Sequence, residues 1–136
     1  MNYYGHGGLR RFSHEGLLTS DDVAGLKNGR RLPVVTAMTC IIGRFGVPGT
    51  DAIGEDLVLH PHGGAIAVWA PTGLSRNQFA APLSKAFAQY LASADEPILG
   101  RGIQQAIEQQ AAQSRKYILQ IYTILGDPAL KIQRRP

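Results

Sequence analysis

The sequence is poor in several features, and each scarcity excludes a class of protein. One cysteine among 136 residues rules out an internal disulfide, so the fold must be stabilised by packing. No apolar stretch approaches the roughly 20 residues that a membrane-spanning helix needs. Hydrophobic residues make up 44% of the chain, which is ordinary for a globular core and argues against disorder. The length fits one domain or part of one.

An excess of positive charge is confined to the last quarter of the chain. Residues 1–100 carry eight basic and eight acidic side chains, whereas residues 101–136 carry six basic and two acidic ones. These late charges are spread along a predicted helix and the chain end, without the aromatic interleaving typical of a nucleic-acid surface. We therefore predict a solvated surface and no nucleic-acid partner.

Apolar runs alternate with amphipathic segments, which predicts an α/β layered fold. The run at about 33–39 and the run at 63–70 are nearly continuous, as in parallel strands covered on both faces. Spacing and punctuation predict four helices and a terminal edge strand. The helices are expected at about 20–27, 51–60, 75–92 (capped by Ser75 and kinked or delayed by Pro82) and 102–124, with the strand at Ala129–Ile132 after a turn at Leu125–Pro128.

The single thiol lies where such a fold presents functional groups. Cys40 ends the first buried run and is followed by a glycine-rich loop. His6, between Gly5 and Gly7, follows a short apolar stub that reads as the end of a strand. Ligands in α/β sheets bind beyond the carboxyl ends of the strands, so both side chains can share one rim. Cysteine with histidine suggests nucleophilic catalysis, although a lone cysteine can equally be a small core residue.

Other polar residues have simpler explanations. His60 and His62 flank Pro61, but no cysteine or carboxylate completes a ligand set, so we predict no metal site. Asp127 precedes a proline and is explained by a turn rather than by a catalytic acid. No residue pattern calls for a cofactor.

Ordered motifs along nearly the whole chain resemble those of the gingipain family of cysteine peptidases, which have a caspase-like fold. The segments that carry this resemblance are Tyr4–Gly8, Leu18–Val23, Leu26–Gly29, Leu32–Val35, Ala37–Phe45, Gly54–Leu57, Gly63–Val68, Pro71–Ser75, Tyr122 and Leu125–Leu130. No single segment is specific, and the resemblance depends on their order and spacing. It implies a mostly parallel sheet flanked by helices and a cysteine-type endopeptidase that hydrolyses polypeptides.

The resemblance also implies roles for individual residues. Cys40 matches the family's nucleophile and His6 its catalytic histidine. The backbone N–H groups of Gly7 and Cys40 are the expected donors to the oxyanion. The substrate pocket is expected near five residues at the ends of the two buried runs: Thr39, Trp69, Ala70, Pro71 and Thr72.

Some family features have no counterpart in these residues. The family's domain has further strands before the histidine, and these supply the acid that orients it. We therefore expect residues 1–136 to be the C-terminal portion of one domain whose N-terminal half of the sheet is missing, and to be marginally stable alone. Glu15 and Asp51 are weak substitutes for the acid. Asn77 lies roughly where arginine- or lysine-specific relatives place a tryptophan, so no such preference is carried over.

Two alternatives to this peptidase remain open. The chain could be a non-catalytic caspase-like scaffold or a secretion-associated module, a reading favoured by the missing acid. It could also be another caspase-like peptidase, such as the bacterial type attached to helical repeats. Family members are mostly secreted or surface-exposed bacterial proteins, so the resemblance implies an extracellular or cell-surface location.

Overall fold

The fold is given by a computed structural model that describes residues 1–112 and 115–133. Its strands are β1 (Asn2–Tyr4), β2 (Gly7–Gly8), β3 (Arg11–Phe12), β4 (Leu18–Thr19), β5 (Val34–Met38), β6 (Ala67–Pro71) and β7 (Tyr122–Gly126). Its helices are α1 (Ser20–Ala24), α2 (Ile53–Leu59), α3 (Asn77–Ser93), α4 (Leu99–Gln110) and α5 (Lys116–Ile121). None of these helices is both long enough and apolar enough to cross a membrane.

A four-stranded sheet in the order β1-β5-β6-β7 forms the centre of the molecule. β1, β5 and β6 run parallel, and β7 is antiparallel to β6, so the predicted mostly parallel α/β sheet is confirmed. The short strands β2, β3 and β4 form a separate antiparallel sheet beside the end of β1. This small sheet carries the chain from the predicted histidine loop into α1.

The central sheet separates two hydrophobic clusters, which explains why its strands are apolar without alternation. Met38 and Trp69 face the cluster formed with α3, α4 and α5. Ala37 and Val68 face the other cluster, formed with α2 and the small sheet. Because neighbouring residues of a strand point to opposite faces, helices on both faces require apolar residues at successive positions.

The helices in the first two-thirds of the chain lie close to their predicted positions. Thr19 caps α1 and forms a reciprocal capping box with Asp22, as the hydroxyl-then-acid pattern predicts. α1 ends at Ala24, earlier than expected, and Asn28 instead bonds the backbone of Gly64. α3 begins five residues before Pro82 and continues through it, so the proline does not delay the helix.

The last quarter of the chain differs from its prediction. The helix expected over 102–124 is two helices, α4 and α5, followed by strand β7; residues 113 and 114 lie outside the described part. β7 pairs along its whole length with β6, from Tyr122 opposite Pro71 to Gly126 opposite Ala67. The expected edge strand Ala129–Ile132 is absent from the described structure, where Lys131 forms only an isolated bridge with Ile98. The turn is confirmed at Asp127, whose carboxylate accepts from Ala129 N–H.

Candidate active site

The carboxyl ends of β1 and β5 lie side by side. These strands are parallel, with Tyr4 opposite Met38, so His6 and Cys40 each follow a strand end by two residues on the same rim of the sheet. The end of β6 lies next to β5, which adds the segment after Pro71 to this rim. Of the two predicted reactive side chains, His6 is exposed and Cys40 is half-buried, and neither is enclosed in the core.

The backbone around His6 is held by several hydrogen bonds. The carbonyl oxygen of His6 accepts from the Tyr3 hydroxyl and from the Ser13 N–H, both at 2.8 Å. The carbonyl of Gly5 accepts from the Asn77 side-chain amide at 3.2 Å. Asn77 thus joins the first turn of α3 to the histidine loop, a role that the sequence did not reveal.

Gly7 is pressed against the end of β5. A Cβ atom at this position would lie 2.5 Å from the Thr39 hydroxyl oxygen and 2.8 Å from the Cys40 carbonyl oxygen, so only glycine fits. Gly7 also faces Phe12 in the small sheet, while Ser13 N–H bonds the His6 carbonyl. In an antiparallel ladder this hydrogen bond makes Gly7 and Phe12 a non-hydrogen-bonded pair. The N–H of Gly7 therefore points away from β3.

The Cys40 sulfur contacts the backbone of Ser75. The thiol donates to the Ser75 carbonyl at 3.3 Å, and the Ser75 N–H donates back to the sulfur at 3.4 Å. Within the described residues no hydrogen bond joins this sulfur to the His6 ring. The Cys40 N–H likewise donates to no described atom, which leaves it available to a ligand.

A strained turn follows the cysteine. Ile41 has a φ of 42°, in the left-handed region that β-branched residues rarely adopt. The Ile42 N–H donates to the Cys40 carbonyl at 2.7 Å across this residue, and the Ile41 N–H donates to the Gly73 carbonyl at 3.1 Å. Such a backbone costs on the order of 1–3 kcal/mol and is typical of functional sites. No sequence signal indicated it, because a glycine or asparagine would be expected at such a position.

The acids considered as substitutes for the histidine-orienting group differ in position. The Glu15 carboxylate accepts from the Ser13 hydroxyl, and this hydrogen bond, with smaller contributions from His14 and His6, lowers the pKa of Glu15. The His14 ring lies 4.9 Å from the His6 ring. No hydrogen bond among the described residues joins the Glu15 carboxylate to His6. Asp51 is exposed and pairs with no histidine in the described part of the chain.

The expected pocket residues are mostly buried. Thr39, Trp69 and Ala70 are each 0% exposed, and Pro71 is also buried. The Trp69 ring packs edge-on against Phe87, with centroids 5.5 Å apart. In this structure these side chains form the layer beneath the rim. Only Thr72 is half-buried, and its hydroxyl is engaged by the Ile121 carbonyl at 3.0 Å.

Ser75 has a different role from the predicted helix cap. α3 begins at Asn77 with Arg76 as its N-cap, and the Ser75 hydroxyl bonds the Tyr122 hydroxyl at 3.0 Å. Both residues are 8% exposed. Burial, with a smaller contribution from Cys40, raises the pKa of Tyr122 to about 12. No local pattern connects these two residues, because the segment of Tyr122 was predicted as a helix.

Other features lie away from the rim. Within the described residues no group of three His, Cys, Asp or Glu side chains could hold a metal ion. His60 bonds the Leu26 carbonyl at 2.9 Å through its ring, and its neighbour His62 is exposed. A cleft of about 840 Å³ opens beside Asn2 and Val34, at the opposite end of the strands from Cys40.

Comparisons with known proteins agree on the kind of protein that this chain resembles. The model of peptidase family C25 matches residues 1–133. The chain is 21% identical to the complex of Porphyromonas gingivalis RgpB pro- and mature domains, with a TM-score of 0.84 over 97% of this chain and 33% of that one. It is 19% identical to the Arg-specific cysteine proteinase gingipain R (RgpB), with a TM-score of 0.81 over 97% and 33%. The comparison with curated proteins found no match.

A third solved structure, described as a protease, is 17% identical, with a TM-score of 0.81 over 96% of this chain and 34% of that one. These likenesses confirm the caspase-like α/β fold. The chain spans about a third of the length of the solved structures it matches.

Proposed function

Because this chain belongs to peptidase family C25, the gingipain family, we propose that it carries the nucleophile and the catalytic histidine of a cysteine-type endopeptidase. Cys40 is the nucleophile and His6 the proton carrier. The observation that carries the proposal is the pairing of β1 with β5, which brings the two residues to one rim with Gly7 packed against the Cys40 carbonyl. The substrate is a polypeptide, and by family the protein acts outside the cell or at its surface.

The proposed chemistry follows from these groups. His6 takes the proton of the Cys40 thiol, and the thiolate attacks the carbonyl carbon of the peptide bond, forming a C–S bond and placing negative charge on the carbonyl oxygen. The N–H groups of Gly7 and Cys40, neither of which is used by the sheets, donate to that oxygen. Preorganised donors of this kind are commonly worth about 3 kcal/mol each in the transition state. His6 gives a proton to the leaving amine as the C–N bond breaks.

Water completes the cycle. His6 takes a proton from a water molecule, the resulting hydroxide attacks the thioester carbon, and the C–S bond breaks to release the acid product and the Cys40 thiolate. The exposed position of His6 allows water to reach it. In the resting structure the thiol is held by Ser75, and a catalytic contact with the His6 ring has to form when a substrate binds.

The test is cleavage of fluorescein-labelled casein by the natural full-length protein. Cys40→Ala is expected to abolish cleavage, and His6→Ala to reduce it by about 10²- to 10⁴-fold, the usual contribution of acid–base catalysis. His62→Ala removes an exposed histidine far from the rim and serves as the matched control. Cleavage that persists at the wild-type rate in Cys40→Ala would refute the proposal.

The non-catalytic scaffold is the second candidate, because the Cys40 sulfur bonds Ser75 and not His6. The two candidates are separated by the chemical reactivity of the thiol. A peptidase thiol reacts with iodoacetamide at neutral pH faster than free cysteine, and this advantage falls in His6→Ala. If the domain is a scaffold, the thiol reacts slowly, its alkylation rate does not change in His6→Ala, and the protein cleaves no casein.

A further inference from the structure

Ser75 is the one described residue whose backbone contacts the Cys40 sulfur through both of its polar groups. Its carbonyl accepts from the thiol and its N–H donates to the sulfur, at 3.3 Å and 3.4 Å. The two contacts favour different states of the cysteine. An S–H donor is weak, whereas an N–H bond to an ionised acceptor is about twice as strong as a neutral one. The carbonyl contact keeps the proton on the sulfur, whereas the N–H contact is the one that can stabilise a thiolate once that proton has left.

The segment that carries this N–H is held in place by Tyr122. Ser75 lies in the loop between β6 and α3, and its hydroxyl bonds the Tyr122 hydroxyl at 3.0 Å in a buried environment. Tyr122 is itself fixed as the first residue of β7, opposite Pro71, with its ring 5.8 Å from that of Trp69. The hydroxyl pair thus connects the loop to the paired strands β6 and β7.

We propose that Ser75 and Tyr122 are positioning residues for Cys40: their hydroxyl pair holds the Ser75 N–H against the sulfur and so favours the reactive thiolate. This inference deepens the proposed function and rests on it. Neither residue touches the substrate in this account. The titratable and charged side chains near this rim include Tyr4, His6, His14, Glu15 and Arg76.

The experiment measures thiol ionisation directly, through the pH dependence of iodoacetamide alkylation. Cys40 is the one cysteine of these 136 residues, so mass spectrometry of the peptide that contains it assigns the alkylation to this thiol. In Ser75→Ala and in Tyr122→Phe we expect the midpoint pH to rise and the rate at pH 7 to fall by about 3- to 10-fold, because a rise of one pH unit is tenfold in thiolate population. Ser75→Thr keeps the hydroxyl, so its alkylation midpoint should equal that of the wild type.

Matched controls remove equally buried hydroxyls elsewhere. The Ser84 hydroxyl bonds Asn2, and the Tyr90 hydroxyl accepts from the Ile98 N–H. Ser84→Ala and Tyr90→Phe should lower stability without moving the alkylation midpoint. Folded Ser75→Ala and Tyr122→Phe variants that keep the wild-type midpoint would overturn the proposal, because a purely structural role changes stability alone.

A measurement on the wild-type protein covers the case in which the variants do not fold. The amide proton of Ser75 should shift in NMR spectra as Cys40 ionises, and that of Ser84 should not. An unmoving Ser75 amide would overturn the proposal. Neither readout depends on peptide cleavage. The proposed function fails if Cys40→Ala still cleaves casein, whereas this inference fails if the thiol midpoint ignores Ser75 and Tyr122.

Discussion

The buried hydroxyl of Tyr122 makes stability fall at alkaline pH in a way that can be calculated. Its pKa is about 12 in the folded chain, because of burial and, to a smaller extent, the charge of Cys40, against about 10 in the unfolded chain. The folded state therefore binds the proton more tightly. The associated stability is fully present below pH 10 and is lost as the pH rises toward 12.

The size of this loss follows from the two pKa values. Two pH units correspond to about 2.7 kcal/mol in full, of which about 1.4 kcal/mol is lost by pH 11. Tyr122→Phe cannot lose a proton at this position. At pH 8 the variant should be less stable than the wild type by about 1 kcal/mol, because the buried Ser75 hydroxyl loses its partner. Between about pH 10 and pH 11 the order of stabilities should reverse.

Urea unfolding followed by circular dichroism from pH 8 to pH 11 measures both curves. Both proteins carry Cys40→Ala, because Tyr122→Phe is also expected to change the ionisation of Cys40. The remaining titrating groups are common to both proteins and cancel in the difference. Tyr90→Phe, which also removes a buried tyrosine hydroxyl, serves at pH 8 as the control for the loss of a buried hydrogen bond. If the difference in unfolding free energy between the wild type and Tyr122→Phe is constant from pH 8 to pH 11, the raised pKa of Tyr122 in the folded chain is refuted.

Three further substitutions test the site and the fold. Gly7→Ala should lower the free energy of unfolding by about 1–3 kcal/mol, measured in urea, because its Cβ would overlap the Thr39 hydroxyl and the Cys40 carbonyl; wild-type stability would contradict this. Ile42→Gly empties a fully buried site and should lower the free energy of unfolding by at least about 3 kcal/mol. Ile41→Gly should lower it far less, because glycine adopts the left-handed φ of Ile41 without strain. Equal losses in the two variants would disprove strain at Ile41. The hydrogen bonds from Thr19 lower the pKa of Asp22 and are lost when Asp22 is protonated. Thr19→Ala should therefore destabilise the chain above about pH 4, and the stability difference from the wild type should vanish as the pH falls further. Acid-urea titrations that show a constant difference would rule out this cap.

The features that sequence could predict are those set by local pattern. The continuous apolar run at Val34–Met38 indicates a strand with two covered faces, and the two core clusters confirm it. The same logic placed Cys40 just beyond the end of that strand. His6 could be placed beside it because parallel strands end on the same side of a sheet.

Features that depend on distant pairing were missed. The segment 122–126 has apolar residues whose spacing continues that of a helix, and only its pairing with β6 makes it a strand. Ser75 looked like a helix cap because serine often is one, and its buried partner Tyr122 is 47 positions away in sequence. Ile41 combines a left-handed φ with a hydrogen bond from its N–H to Gly73, 32 positions away in sequence, and local preference encodes neither feature.

The separation of the core into two clusters has a consequence for how the site can change. Because successive residues of β5 face opposite clusters, a slip of one residue against β1 would exchange Ala37 with Met38 between two differently shaped interiors. The same slip would move Cys40 by one position relative to His6. Packing therefore fixes the alignment of the two strand ends in whole steps, so core substitutions that keep the fold should leave the relative position of Cys40 and His6 unchanged instead of shifting it gradually.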